Sequence, residues 1–335
     1  MTRGIVGAVL VAAGCSAAAN ENVKALSSDV TPSVVDKTID GHRDGVFAVK
    51  AQPGGDVIAT ASRDKTVGLG RVGDSVLKRL EGHTNQVLRV AFNPKGTMLA
   101  SGGADNIAIL WDVQSKKNLR TLKGHANWVC DLCFDESGER LVTAGADGTT
   151  RIWNVADGKE MATIKVPGGE VWTAVFVGNG DVLTGGKDGT LRRWAIGQAQ
   201  SKASGKGHAS DLYTIALTKE GLPATVGADG KIVLWDEQLK VRATWQAHQG
   251  QAYSLAFLPD GRLTTCGEDK TVRLWDPGSQ SEVSRGTAHK NAVYGLTALG
   301  DGRVVSAGQD RVINIWANPL QGIAGQANGR ALKAP

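Results

Sequence analysis

Histidine, cysteine and proline are scarce in this chain, and each scarcity narrows what it can do. The six histidines all fall on one internal repeat, so none is left over for a metal site or a general base, and no metal or cofactor is expected. Only four cysteines occur: Cys15, Cys130, Cys133 and Cys266. Cys130 and Cys133 have a redox or haem-attachment spacing, but Phe134 stands where haem attachment needs histidine. On one strand, residues three apart face opposite sides and cannot bond to each other. Nine prolines against 44 glycines suit many tight turns between paired strands. Basic charge is not concentrated: 38 Lys and Arg oppose 33 Asp and Glu, and the basic doublets, such as Lys116-Lys117 and Arg192-Arg193, are short. A nucleic-acid binder should gather its basic charge on one face, so no nucleic-acid partner is expected. Gly205-Lys206-Gly207 lacks the spacing of a phosphate loop.

What the chain has is a period. Trp111, Trp153, Trp194, Trp235, Trp275 and Trp316 recur every 40 to 42 residues. Each lies six residues after an aspartate: Asp105, Asp147, Asp188, Asp229, Asp269 and Asp310. Asp64 obeys the same period, but Gly70 takes the place of its tryptophan. Four residues before each aspartate is a hydroxyl: Thr60, Ser101, Thr143, Thr184, Thr225, Thr265 and Ser306. His42, His83, His125, His208, His248 and His289 precede six of the aspartates by 21 or 22 residues. A repeat of this length built of short strands signals a radially repeated sheet.

These residues resemble the WD-repeat family. Gly41-His42, Gly82-His83, Gly124-His125 and Gly207-His208 open repeats, and Leu110-Trp111-Asp112, Leu234-Trp235-Asp236 and Leu274-Trp275-Asp276 close others. The resemblance implies an all-β, seven-bladed β-propeller of four-stranded antiparallel blades over residues 34–317. In the second repeat, Val87–Phe92 reads as the inner strand, Met98–Ser101 as the second, Ile107–Trp111 as the third and Lys117–Leu122 as the outer. Asp105-Asn106, and Asp-Gly at 147, 188 and 229, mark the turn between second and third strands. No fourth strand follows Trp316, so Val34–Ile39 is expected to close the last blade from the N-terminal side.

His, Ser/Thr, Asp and Trp can satisfy one another when buried. The imidazole donates to the carboxylate, the hydroxyl donates to or accepts from the other ring nitrogen, and the indole N–H donates. By resemblance this is the family's structural tetrad. It is complete as His83, Ser101, Asp105 and Trp111; His125, Thr143, Asp147 and Trp153; His208, Thr225, Asp229 and Trp235; His248, Thr265, Asp269 and Trp275; and His289, Ser306, Asp310 and Trp316. Blade 1 lacks its Trp, and blade 4 lacks its His because Pro167 stands there, so both are expected to be weaker. A Ser-His-Asp triad that recurs in blade after blade is structural rather than catalytic, and no catalytic residue is expected.

The remaining aromatics share one place. Phe47, Tyr213, Tyr253 and Tyr294 lie five residues after the repeat histidine, and Trp172 takes the same place in blade 4. Leu88 and Cys130 complete that set, with Trp128 beside it. In the family this place and the residue before the turn aspartate border the top face, which commonly binds proteins. Carried over, the second set is Arg63, Ala104, Ala146, Lys187, Ala228, Glu268 and Gln309. Partly exposed rings, with Arg63, Lys187 and Glu268 at their margin, are the expected surface for a protein or peptide partner, on a monomeric, non-enzymatic scaffold. The alternatives are an intracellular scaffold of the same build, and a propeller enzyme or small-ligand sensor using the channel, where Glu170 and Asp211 are the acids nearby.

Residues 1–15 stand apart. Arg3 is followed by the apolar run Ile5–Gly14, about half of what a transmembrane helix needs and suited to a secretory signal. Ala12-Ala13-Gly14-Cys15 resembles a bacterial lipobox, departing from it at Ala12, and implies a lipid on Cys15, cleavage before it, and display on the cell envelope. Cleavage after Ala17-Ala18-Ala19 and a cytoplasmic protein with an Ala-rich end are the other readings. Residues 16–33 would form a flexible tether and 318–335 a mobile tail.

Overall fold

The computed structural model describes residues 31–178 and 180–317. The signal-like segment with Cys15, the rest of the tether up to residue 30, and the tail from residue 318 lie outside the described residues. Among the described residues there are strands and turns and no helix.

Seven sheets follow one another along the chain. Each begins with an inner strand: Val46–Ala51, Val87–Phe92, Val129–Phe134, Val171–Val177, Leu212–Leu217, Ala252–Phe257 and Val293–Ala298 for blades 1 to 7. Successive strands then pair antiparallel outward. In blade 2 these are Met98–Gly103, Ile107–Asp112 and Asn118–Lys123, each within two residues of the expected bounds.

The hydrophobic core lies between the blades. Trp111, Leu99, Ile109 and Val87 of blade 2 pack with Ala59, Leu69 and Val67 of blade 1. The same sharing repeats around the ring and ends with Val305, Ile313 and Ile315 of blade 7 against Val46, Val49 and Ile58 of blade 1. One blade cannot bury both of its faces alone, so each is stable only between neighbours.

The turn from second to third strand explains the aspartate. The residue after it has a left-handed φ in all seven blades: Lys65, Asn106, Gly148, Gly189, Gly230, Lys270 and Arg311, between 67° and 77°. This is a type I turn ending in a left-handed residue, a common way to join antiparallel strands. Gly and Asn tolerate that conformation, whereas Lys and Arg adopt it at a cost.

The ring closes as expected. Val35–Ile39 pairs antiparallel with Ile313–Trp316 as the outer strand of blade 7, and Ala317 N donates to Val34 O at 2.9 Å. One addition was not foreseen. Thr31–Pro32, expected in the tether, forms a strand parallel to Ser281–Gly286 and makes blade 6 five-stranded. The backbone of Ser33 extends this contact through a bond to Arg285 O.

Candidate functional site

The tetrads form as continuous hydrogen-bonded chains. In blade 3, His125 Nδ1 lies 3.0 Å from Asp147 and Nε2 lies 2.7 Å from Thr143 Oγ1, while Trp153 Nε1 donates to that hydroxyl at 2.9 Å. Blades 2, 5, 6 and 7 repeat this with distances of 2.7–3.1 Å. Burial keeps the His125 and His248 pKa values low against the pull of their aspartates, so both rings are neutral. Nδ1–H therefore donates to the carboxylate, and the hydroxyl donates to Nε2. Burial pushes Asp147 and Asp269 upward, but hydrogen bonds and the adjacent imidazole outweigh it and hold both below the usual carboxylate range.

The same carboxylate also accepts the backbone N–H of the residue after the histidine, as Asp147 does from Ala126 at 2.9 Å. The tetrad thus ties the loop entering a blade to the turn inside it. Its hydroxyls (Ser101, Thr143, Thr225, Thr265 and Ser306) are 0% exposed. A nucleophile must reach its substrate, and these cannot.

Two blades solve the same problem differently. In blade 1, His42 bonds Asp64 and Thr60 at 3.0 and 2.6 Å, and Leu77 fills the place of the missing indole. A side chain on Gly82 would strike Trp111 at 2.8 Å, whereas on the equivalent Gly41 it would strike Leu77 at 3.0 Å. In blade 4, Trp194 donates to Thr184 at 2.9 Å, and the Arg192 guanidinium grips Asp188 at 2.6 and 3.2 Å, as Arg273 grips Asp269 at 2.6 Å in blade 6, so Asp188 keeps that partner and lacks the imidazole. The expected loss of that network is therefore only partial.

The aromatic set has a structural cause that the period hides. Every inner strand carries a β-bulge against its neighbour, and the extra residue is always the fifth after the histidine position: Phe47, Leu88, Cys130, Trp172, Tyr213, Tyr253 and Tyr294. A bulge re-aims the side chain it inserts. The residues before the turn aspartates lie beside this rim. Their backbone N–H groups bond to the residue two before the bulge, as Arg63 does to Gly45 O, Lys187 to Glu170 O and Glu268 to Gln251 O. Both expected sets are thus brought together.

Their exposure differs from expectation. Four rings from successive blades pack edge to face or tilted in a row: Tyr213 on Tyr253 at 5.9 Å, Tyr253 on Tyr294 at 5.1 Å, and Tyr294 on Phe47 at 5.6 Å. Each ring shields the next, so the three tyrosines are buried and only Phe47 is half-exposed. Tyr213 OH also donates to Gln251 Oε1 at 2.7 Å. Trp128, Trp172 and Leu88 are half-exposed. The buried Trp172 Nε1 faces the Asp211 carboxyl but meets no acceptor at hydrogen-bonding geometry. Burial pushes Asp211 above the usual carboxylate range against the pull of that indole and of Lys187. Lys187 and Glu170 form an exposed ion pair at 2.9 Å.

Among the described residues, Cys130, Cys133 and Cys266 are free thiols. Burial pushes Cys130 up to about 12 and Cys133 up to about 11, so both stay protonated and unreactive at neutral pH. Among the described residues no His, Cys, Asp and Glu cluster could hold a metal ion.

Seven antiparallel blades around an axis, tied by repeated tetrads, define a β-propeller. Residues 34–69, 74–112, 116–154, 158–195, 239–276 and 281–317 match the family described as WD domain, G-beta repeat, and the chain belongs to that family. The unmatched stretch 196–238 contains the first three strands of blade 5, whose tetrad is nonetheless complete. Among solved structures the chain is similar to the WD40 β-propeller domain of Doa1, with a TM-score of 0.79 and 23% identity over 87% of this chain and 98% of that one. No curated protein matches it in sequence. Propellers of this family generally act as non-enzymatic scaffolds that bind protein partners.

Proposed function

We propose that this protein is a monomeric, non-enzymatic scaffold that binds a protein or peptide at the bulged rim of its propeller. The observation that carries this is the half-exposure of Phe47, Leu88, Trp128 and Trp172 at one rim, beside Arg63, Lys187 and Glu268. Large, stiff, half-polar rings bordered by charge are what anchor protein interfaces. The buried tyrosine row serves as the floor that holds Phe47 in place. On the residues Ala12-Ala13-Gly14-Cys15, we also propose that Cys15 carries a lipid and that the propeller is displayed on a bacterial envelope.

Partner capture from the native envelope tests the first reading. Truncating a central interface aromatic typically costs about 2 kcal/mol or more. Trp128→Ala and Trp172→Ala should therefore weaken capture strongly with little loss of thermal stability, while Lys117→Glu on an outer strand should change neither. Unchanged capture in both tryptophan variants would move the interface elsewhere. For the lipid, the wild type should partition into detergent and Cys15→Ser should not; a chain of intact mass starting at Met1 in the cytosol would refute it.

A further inference from the structure

Three charged residues converge inside the ring, away from the rim. Lys50, Arg89 and Asp131 lie on the inner strands of blades 1, 2 and 3. Arg89 and Asp131 directly follow the bulge, a place where the other blades carry Ala48, Thr173, Thr214, Ser254 and Gly295. Lys50 lies within electrostatic range of both. The inner strands that carry the three charges line the central channel.

Their charges do not balance. Asp131 Oδ2 accepts from Thr173 Oγ1 at 2.8 Å and from Ala174 N at 3.4 Å. Arg89 Nη1 donates to Leu88 O at 3.0 Å. Among the described residues neither Arg89 nor Lys50 has a carboxylate within ion-pair distance. Two cations and one acid leave a single net positive charge on the channel wall, where all three side chains are half-exposed. Burial and the neighbouring Arg89 both push the Lys50 ammonium below its ordinary pKa against the pull of Asp131, as expected of a cation without a partner. A walled site of one sign concentrates counter-ions, and a guanidinium fork suits a planar or tetrahedral oxyanion better than a spherical halide.

We propose that the central channel binds one small oxyanion, a carboxylate or a phosphate, between Lys50 and Arg89. Asp131 competes with it and sets its affinity. The test is thermal melting of the full chain while sodium phosphate or, separately, sodium acetate replaces sodium chloride at constant ionic strength. The melting temperature should rise and saturate as for one site, and the anion that saturates at lower concentration is the preferred class. Lys50→Met should fold with a melting temperature in chloride no lower than wild type, because it removes an uncompensated cation, and should lose the increment. Asp131→Asn should bind the anion several-fold more tightly. A non-saturating response to both anions, an increment that persists in Lys50→Met, or an unchanged affinity in Asp131→Asn would overturn the site.

Discussion

Arg192 holds Asp188 with both terminal guanidinium nitrogens, at 2.6 and 3.2 Å, in the blade where Pro167 replaces the repeat histidine. The carboxylate keeps the arginine donor that Asp269 also has beside its histidine, but without an imidazole it is less enclosed: the Asp188 side chain is 27% exposed, against 10% for Asp229 in a complete tetrad. Asp229→Ala strands the buried His208 Nδ1–H and should cost about 1–3 kcal/mol. Asp188→Ala leaves an arginine that water can reach and should cost less. Denaturant melts of the two variants check this, and equal losses would contradict it.

Leu77 gives blade 1 a second prediction. A side chain on Gly70 would meet Leu77 Cδ2 at 2.8 Å and Asp74 Oδ2 at 3.1 Å. Restoring the family residue with Gly70→Trp alone should therefore overpack the site and cost about 1–3 kcal/mol. Leu77→Ala alone opens a cavity, because Leu77 is 4% exposed. Combined, the two changes should cost clearly less than their sum, and a double-mutant cycle measures the difference. Simple additivity would mean that leucine and indole do not share the space.

The left-handed lysines offer a stabilising change. Lys65 and Lys270 sit at φ values of 72° and 67° with exposed side chains, where blades 3, 4 and 5 use glycine. Lys270→Gly and Lys65→Gly should each add about 0.5–1 kcal/mol by relieving that conformation. The melting temperature reads the gain directly, and a drop in both would show that the turn is not strained.

Acid should weaken the propeller in two stages. The folded pKa values of His125 and His248 are lowered by burial, so the unfolded chain takes up protons first and stability falls as pH drops below about 6.5. Asp105, Asp147, Asp229, Asp269 and Asp310 are depressed in the fold. Their contribution is full above the unfolded value and is lost as pH falls from about 4 toward their folded values. A melting temperature that stays flat from pH 7 to pH 5 would rule out the histidine stage.

The repeat made the blades, their turns, the tetrads and the closing strand legible, because each depends on residue types at fixed separations. The bulge was not legible. It is a property of pairing between strands, and one extra residue leaves the forty-residue period untouched. Its trace was the placement of Phe47, Trp172 and the three tyrosines at one repeat position. Exposure of those rings depends on blade order. Blades 5, 6, 7 and 1 are consecutive around the ring, so their aromatics shield one another, a row that Trp172 of blade 4 does not join. Arg192 read as half of a surface basic doublet, yet it serves Asp188, while Arg193 pairs with Asp181 at 2.9 Å. Both donors reach carboxylates on other strands or turns, which spacing along the chain does not reveal.

Closure by an N-terminal strand also sets a clock on biosynthesis. Thr38 bonds Asn314, a partner 276 residues later. At about 5–20 residues per second of synthesis, Val35–Ile39 waits roughly 15–55 s for the strand it must pair with. Throughout that interval both the strand and the growing stack of blades carry open edges, and an open edge is a template for the wrong neighbour. The alternating outward faces of Asp36 and Thr38 keep the waiting strand half polar, so the nascent chain has a means of staying unpaired until the last blade arrives.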